Sequence, residues 1–165
     1  MIDYEKERKK FRPKSIKTLL IAEAPPPSGK FFFYVPRKLQ LGRSIDQDTS
    51  LPSTIFNHYF NRRPSNNQEY IFFLNELKRK RIFLIDILDE PIKIRNNKEN
   101  VKYLISRLPD LKKKIKDDNI ELDESKWIFL LARNTYKKYI NQLYPEAQKI
   151  RWKDFRLTSE NQDYL

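Results

Sequence analysis

Residues 18–29, TLLIAEAPPPSG, decide the fold. The apolar run Thr18-Leu19-Leu20-Ile21-Ala22 is too short for a helix and lacks the alternation of a half-exposed strand, so it reads as a strand buried on both faces. Glu23-Ala24-Pro25-Pro26-Pro27 ends it, because consecutive prolines fix φ and offer no ladder donors. Two further runs of the same kind follow: Ile82-Phe83-Leu84-Ile85-Asp86-Ile87-Leu88, closed by Asp89-Glu90-Pro91, and Trp127-Ile128-Phe129-Leu130-Leu131-Ala132. Residues 149–156 alternate loosely and make a weaker fourth strand.

Helical patterns fill the gaps. A short helix runs to Phe60 with Ser53 as its cap, and a second is capped by Asn67 with Tyr70, Ile71, Leu74 and Leu77 inward. Residues 98–117 place Val101, Leu104, Ile105, Leu108, Leu111 and Ile115 at helical spacing, with Pro109 predicting a kink or two helices. Asn134 caps a last helix that turns Tyr136, Tyr139, Ile140 and Leu143 inward. Buried strands alternating with amphipathic helices predict a three-layer α/β/α sandwich with a mostly parallel, about four-stranded sheet. The expected organisation is a basic lead-in over 1–17, frayed or helical, one α/β domain over 18–157 and a polar tail over 158–165.

Composition narrows the chemistry. With 165 residues the chain suits one domain. It has no Cys, so disulfides, Cys-ligated zinc and iron–sulfur clusters are excluded. His58 is the sole histidine, which leaves little for His-based metal sites or Ser/His machinery. No metal and no cofactor are expected. No apolar run approaches the roughly 18 residues of a membrane span, and MIDYEKERKKF at the start lacks the apolar segment of a secretory signal. A cytoplasmic monomer, in the nucleoid or another DNA-containing compartment, is the expectation. Lys and Arg number 34 against 22 Asp and Glu, a formal charge of +12. That imbalance points to a polyanion, although abundant Lys, Ile and Asn are also what an A/T-rich genome produces.

In open parallel sheets ligands sit beyond the carboxyl ends of the strands. Three segments fall there: Glu23 to Tyr34, Asp86 to Pro91, and Ala132 to Tyr136. Glu23 is a carboxylate on a stiff loop, suited either to chemistry or to capping backbone donors. Phe31, Phe32, Phe33 and Tyr34 supply either core or base-stacking faces. Lys30, Arg37, Lys38 and Arg43 around them are candidate DNA-backbone contacts. Asp86 inside an apolar strand must be paired, protonated or near the open end; with Glu23 it would form a carboxylate pair. Lys78-Arg79-Lys80-Arg81 and Lys112-Lys113-Lys114 with Lys116 are solvated helix faces or phosphate contacts.

The stretch Leu19-Leu20-Ile21-Ala22-Glu23-Ala24-Pro25-Pro26 resembles the first motif of the uracil-DNA glycosylase superfamily, a buried strand entering a Gly-Glu-Ala-Pro-Gly or Gly-Gln-Asp-Pro type loop. The resemblance extends by element order over residues 17–145. It implies a nucleobase pocket beside a basic DNA groove and hydrolysis of an N-glycosidic bond. Glu23 would orient the water, one of Phe31, Phe32 and Phe33 would stack on the base, and Asp86 would stand where the family's base-reading Asn falls. Asn134, Arg133 or Arg156 would face the leaving base or the DNA backbone. The chain departs from the motif in Ala22 and Pro26, which replace glycines, and in Ala24, which stands at the water-activating Asp. Residues 150–160, IRWKDFRLTSE, hold no His-Pro-Ser-like loop. Two other readings accompany this one: a non-catalytic nucleic-acid or nucleotide module on the same fold, and a protein–protein adaptor with a basic face.

Overall fold

The structure is a computed structural model that describes residues 2–27, 32–36, 50–92, 96–132 and 136–155. In chain order the elements are α1 (Tyr4–Lys10), β1 (Ile16–Ala22), α2 (Leu51–Phe60), α3 (Asn67–Arg79), β2 (Ile82–Asp86), α4 (Asn97–Arg107), a 3₁₀ turn (Leu108–Asp110), α5 (Leu111–Asp117), β3 (Leu122–Leu131), α6 (Lys137–Leu143), β4 (Gln148–Arg151) and α7 (Trp152–Phe155). The four strands make one parallel sheet in the order β2-β1-β3-β4. The α/β fold expected from the strand pattern is therefore present, and no helix among the described residues is long and apolar enough to cross a membrane.

β1 is an interior strand, flanked by β2 and β3. Leu19, Leu20, Ile21 and Ala22 are all buried, which is why the run shows no alternation. β2 lies at the sheet edge, yet its five residues are buried too. Tyr34 closes part of this edge. Its hydroxyl donates to the Leu84 carbonyl at 2.9 Å and accepts from the Leu84 N–H at 2.8 Å. One phenol thus satisfies a donor and an acceptor that an edge strand would otherwise leave open. Phe11 stacks on Tyr34, with ring centroids 6.1 Å apart.

Several local expectations shift for identifiable reasons. Ser50, not Ser53, caps α2, and Pro52 sits in its first turn, where a missing N–H costs nothing. Asn66, not Asn67, caps α3 by accepting from the Glu69 N–H at 2.9 Å. α3 buries Tyr70, Phe73, Leu74 and Leu77 while Ile71 is exposed, since the inward stripe runs through i+3 and i+4 and residue 71 falls outside it. On α6, Leu143 is exposed rather than inward. Pro109 divides its segment into α4 and α5 joined by the 3₁₀ turn. β3 begins at Leu122, five residues before the apolar run, and the fourth strand stops at Arg151 and turns into α7. The basic lead-in forms α1, with Asp3 accepting from the Lys6 N–H, and residues 16–17 already belong to β1.

Candidate functional site at the strand ends

β1 pairs with β2 on one side and β3 on the other, so the order reverses between β1 and β3. That reversal is the switch point at which parallel sheets open a crevice beyond their carboxyl ends. Glu23 stands there, one residue past β1. Its Oε1 accepts the N–H of Ala132, one residue past β3, at 3.1 Å. The carboxylate thus joins the two strand ends across the switch point. Its own carbonyl accepts the Leu88 N–H at 3.1 Å. The proline loop behind it is tied to α1, because the Tyr4 hydroxyl donates to the Pro26 carbonyl at 3.0 Å.

The space beside Glu23 is small. A cavity of about 10 Å³ is lined by Glu23 together with Leu104, Leu108, Leu131, Tyr136 and Ile140. That is room for roughly one water, on the order of 10–15 Å³, and far less than a nucleobase requires.

Asp86 does not share this site. It pairs in register with Ala22, so the following residue, Glu23, turns to the opposite face of the sheet. Asp86 is 4% exposed and its Oδ2 lies 2.7 Å from an Arg8 guanidinium nitrogen. Arg8 is also buried, holds Glu5 at 2.8 Å, and lies 5.6 Å from the Phe32 ring centroid. Burial pushes the Asp86 carboxyl above its ordinary value, with Arg8 and Lys114 pulling against that rise. Lys114 donates to the Asp86 carbonyl at 2.7 Å and pairs with Asp89 at 2.6 Å. The expected pocket of Glu23, an aromatic and Asp86 is therefore not formed among the described residues: the two carboxylates diverge, and Asp86 is held by a cation 78 positions away.

The aromatics take the same course. Phe32, Phe33 and Tyr34 are buried, between 2% and 4% exposed. Phe32 packs edge-on against Tyr4, and Phe33 against Phe56 and Tyr34. These rings are core, and their faces are occupied by other rings. Phe31, Asn134, Lys30, Arg37, Lys38, Arg43, Arg133 and Arg156 lie outside the described residues.

Of the basic clusters, the end of α3 is engaged internally. Arg79 pairs with Glu76 at 2.7 Å and Lys78 donates to the Lys10 carbonyl at 3.1 Å. On α5, Lys112, Lys113 and Lys116 are exposed. At the end of β2 two contiguous grooves of about 380 and 440 Å³ share Ile87, Asp89 and Arg107. Their cations are opposed by Asp89, Asp110, Asp117 and Asp118, and Arg107 pairs with Asp110 at 3.3 Å. That balance does not favour an anion.

Arg8 is the residue that sequence reasoning missed. A signal for it exists: Tyr4, Arg8 and Phe11 recur at i, i+4 and i+7, one helix face carrying a cation between two aromatics. No group of three or more His, Cys, Asp or Glu able to hold a metal occurs among the described residues. Compared with family models, curated proteins and solved structures, the chain finds no match.

Proposed function

We propose that this chain is a nucleic-acid-binding protein on a parallel α/β fold, one that does not excise uracil. The observation that carries the reading is the charge of +12, borne in part on exposed lysines of α4 and α5 that have no carboxylate partner among the described residues, Lys98, Lys102, Lys112, Lys113 and Lys116. Such a surface gains affinity for phosphates by releasing counterions. Asp86 supports the expectation of no uracil excision. Its carboxylate is committed to Arg8, and a base edge cannot be read by a group buried in an ion pair. The buried rings of Phe32, Phe33 and Tyr34 likewise present no stacking face.

A second reading keeps base hydrolysis, as the resemblance to uracil-DNA glycosylases implies, with Glu23 orienting the water. One observation favours it: Glu23 stands at the switch point, beside a space the size of one water.

One pair of assays decides between them. Fluorescence anisotropy of labelled single- and double-stranded DNA is followed against salt concentration, and the release of free base from uracil- and hypoxanthine-containing strands is measured alongside. The expected result is affinity that falls steeply with salt, with no base released. Salt-independent or absent binding would sink the nucleic-acid reading. Base release abolished in Glu23→Gln would replace the first reading by the second.

A further inference from the structure

Surface helices normally dock through an apolar stripe. α1 has none: the only residue of Tyr4–Lys10 that is buried is Arg8, a cation. Its remaining ties are single polar bonds. The Tyr4 hydroxyl donates to the Pro26 carbonyl at 3.0 Å, and the Lys78 ammonium donates to the Lys10 carbonyl at 3.1 Å. Just past the helix, Arg12 donates to the Asp118 carbonyl at 3.0 Å. A buried ion pair spends much of its attraction on desolvation, so it defines geometry more than it adds stability. Here the Arg8 Nε is also buried without a hydrogen-bond partner, a further cost of docking.

The position of α1 makes release simple. It precedes β1 and contributes no strand to the sheet. Seven residues are too few for a helix to persist alone in water, so an undocked α1 melts. What it covers is contiguous. The Asp86 carboxylate meets Arg8. The Phe32 ring meets Tyr4 at 4.8 Å between centroids and the Arg8 guanidinium at 5.6 Å. Both partners of Phe32 named here, and the cation of Asp86, therefore belong to one short helix. The Tyr34 hydroxyl bonds to Leu84 do not involve α1, so the edge of β2 stays closed when the helix leaves.

We infer that α1 is a strap latched by the Arg8–Asp86 pair, opening as one unit while the sheet stays folded and baring the Asp86 carboxylate and the Phe32 ring at the carboxyl end of β2. The inference is independent of the nucleic-acid reading.

The test is hydrogen exchange of the full chain, followed residue by residue in urea below the unfolding transition. The bonded amides from Glu7 to Phe11 should share one opening constant, at least tenfold larger than that of Leu19, Leu20 and Ile21 in β1, with one small urea dependence. Opening constants graded along α1 would mean simple fraying, and constants shared by α1 and β1 would mean no separate strap; either overturns the proposal. Asp86→Asn weakens the latch from 78 positions away. It should speed exchange of α1 and β1 by the same factor, about tenfold to a hundredfold, because undocking is part of both openings. Faster exchange in β1 with α1 unchanged would place the ion pair in the core and overturn the latch. Phe32→Cys supplies the sole thiol, since the chain has no Cys. Its alkylation should follow the α1 opening measured in the same variant. Alkylation with the urea dependence of the β1 amides would show that the patch stays covered, which also overturns the proposal. The exchange pattern of the unsubstituted chain reads even if a variant does not fold.

Discussion

Replacing Arg8 by Ala should be among the most damaging single changes outside the apolar core. Arg8 and Asp86 lie 2.7 Å apart with side chains 4% and 6% exposed. Removing the cation leaves a buried carboxylate with no opposite charge in contact through its side chain, a change that costs about 3–5 kcal/mol. Domains of ordinary stability hold about 5–15 kcal/mol in total, so the loss is a large share. With a urea m value of roughly 2.5 kcal/mol/M, the unfolding midpoint should fall by about 1.2–2 M. Asp86→Asn should be milder, because the amide oxygen still accepts from Arg8 and Glu5 still neutralises the guanidinium at 2.8 Å; about 1.5–3 kcal/mol is expected. Arg8→Met with Asp86→Leu should recover most of the stability, since an apolar replacement leaves no charge to solvate. The pH dependence has a definite sign. Burial raises the Asp86 carboxyl, and loss of Arg8 raises it further. Between the unfolded value of about 3.8 and the raised folded value, the folded state binds more protons than the unfolded. Stability in Arg8→Ala should therefore rise as pH falls through that window, and its deficit against the parent should shrink. Urea titrations of the four proteins at neutral and mildly acidic pH check this. A deficit below about 1 kcal/mol, or single-variant losses that simply add in the double variant, would refute the buried-pair argument.

Other outcomes follow from the same geometry. Tyr34→Phe removes the partner of both the N–H and the C=O of Leu84 and should cost about 1–3 kcal/mol, with faster hydrogen exchange at Leu84; unchanged protection there would show that the edge is closed by something else. Burial holds the Tyr34 phenol well above its ordinary value of 10.0, so its contribution to stability is complete below that pH and is lost as pH rises beyond it; an ultraviolet titration should find this phenol protonated until the chain unfolds. The Ser65 amide and hydroxyl, helped by Arg62, hold the Glu69 carboxyl down to about 2, and an NMR titration placing its midpoint near 4.5 would contradict that cap. Reversing Lys112, Lys113 and Lys116 to Glu should weaken DNA binding and flatten its salt dependence. Reversing Lys78, Arg79 and Lys80 should do less to the salt slope, because Lys78 and Arg79 are already engaged inside the molecule.

The buried strands were legible without coordinates because continuous apolar runs between helical patterns leave few alternatives. Ile16–Ala22, Ile82–Asp86 and the second half of Leu122–Leu131 occupy the expected places in a parallel sheet. Glu23 was legible for the same reason: a residue following a buried parallel strand stands at the sheet's carboxyl end wherever the strand sits. Leu122 to Lys126 escaped because β pairing with Ile16 and Thr18, not apolarity, makes that stretch a strand. What Asp86 faces was beyond any local reading. A charge in an apolar run announces a partner but not which one, and the partner proved to be Arg8, brought by a helix that looked like a solvated lead-in. The aromatic run Phe32-Phe33-Tyr34 posed the same difficulty, since stacking platforms and core rings share a composition. Only tertiary contact, a phenol hydrogen-bonded to the open edge of β2 and rings closed over by Tyr4, Phe11 and Phe56, assigned them to the interior. Burial along a strand is set by the chain's own pattern, whereas the partner of a buried polar group depends on which distant segments the fold brings together.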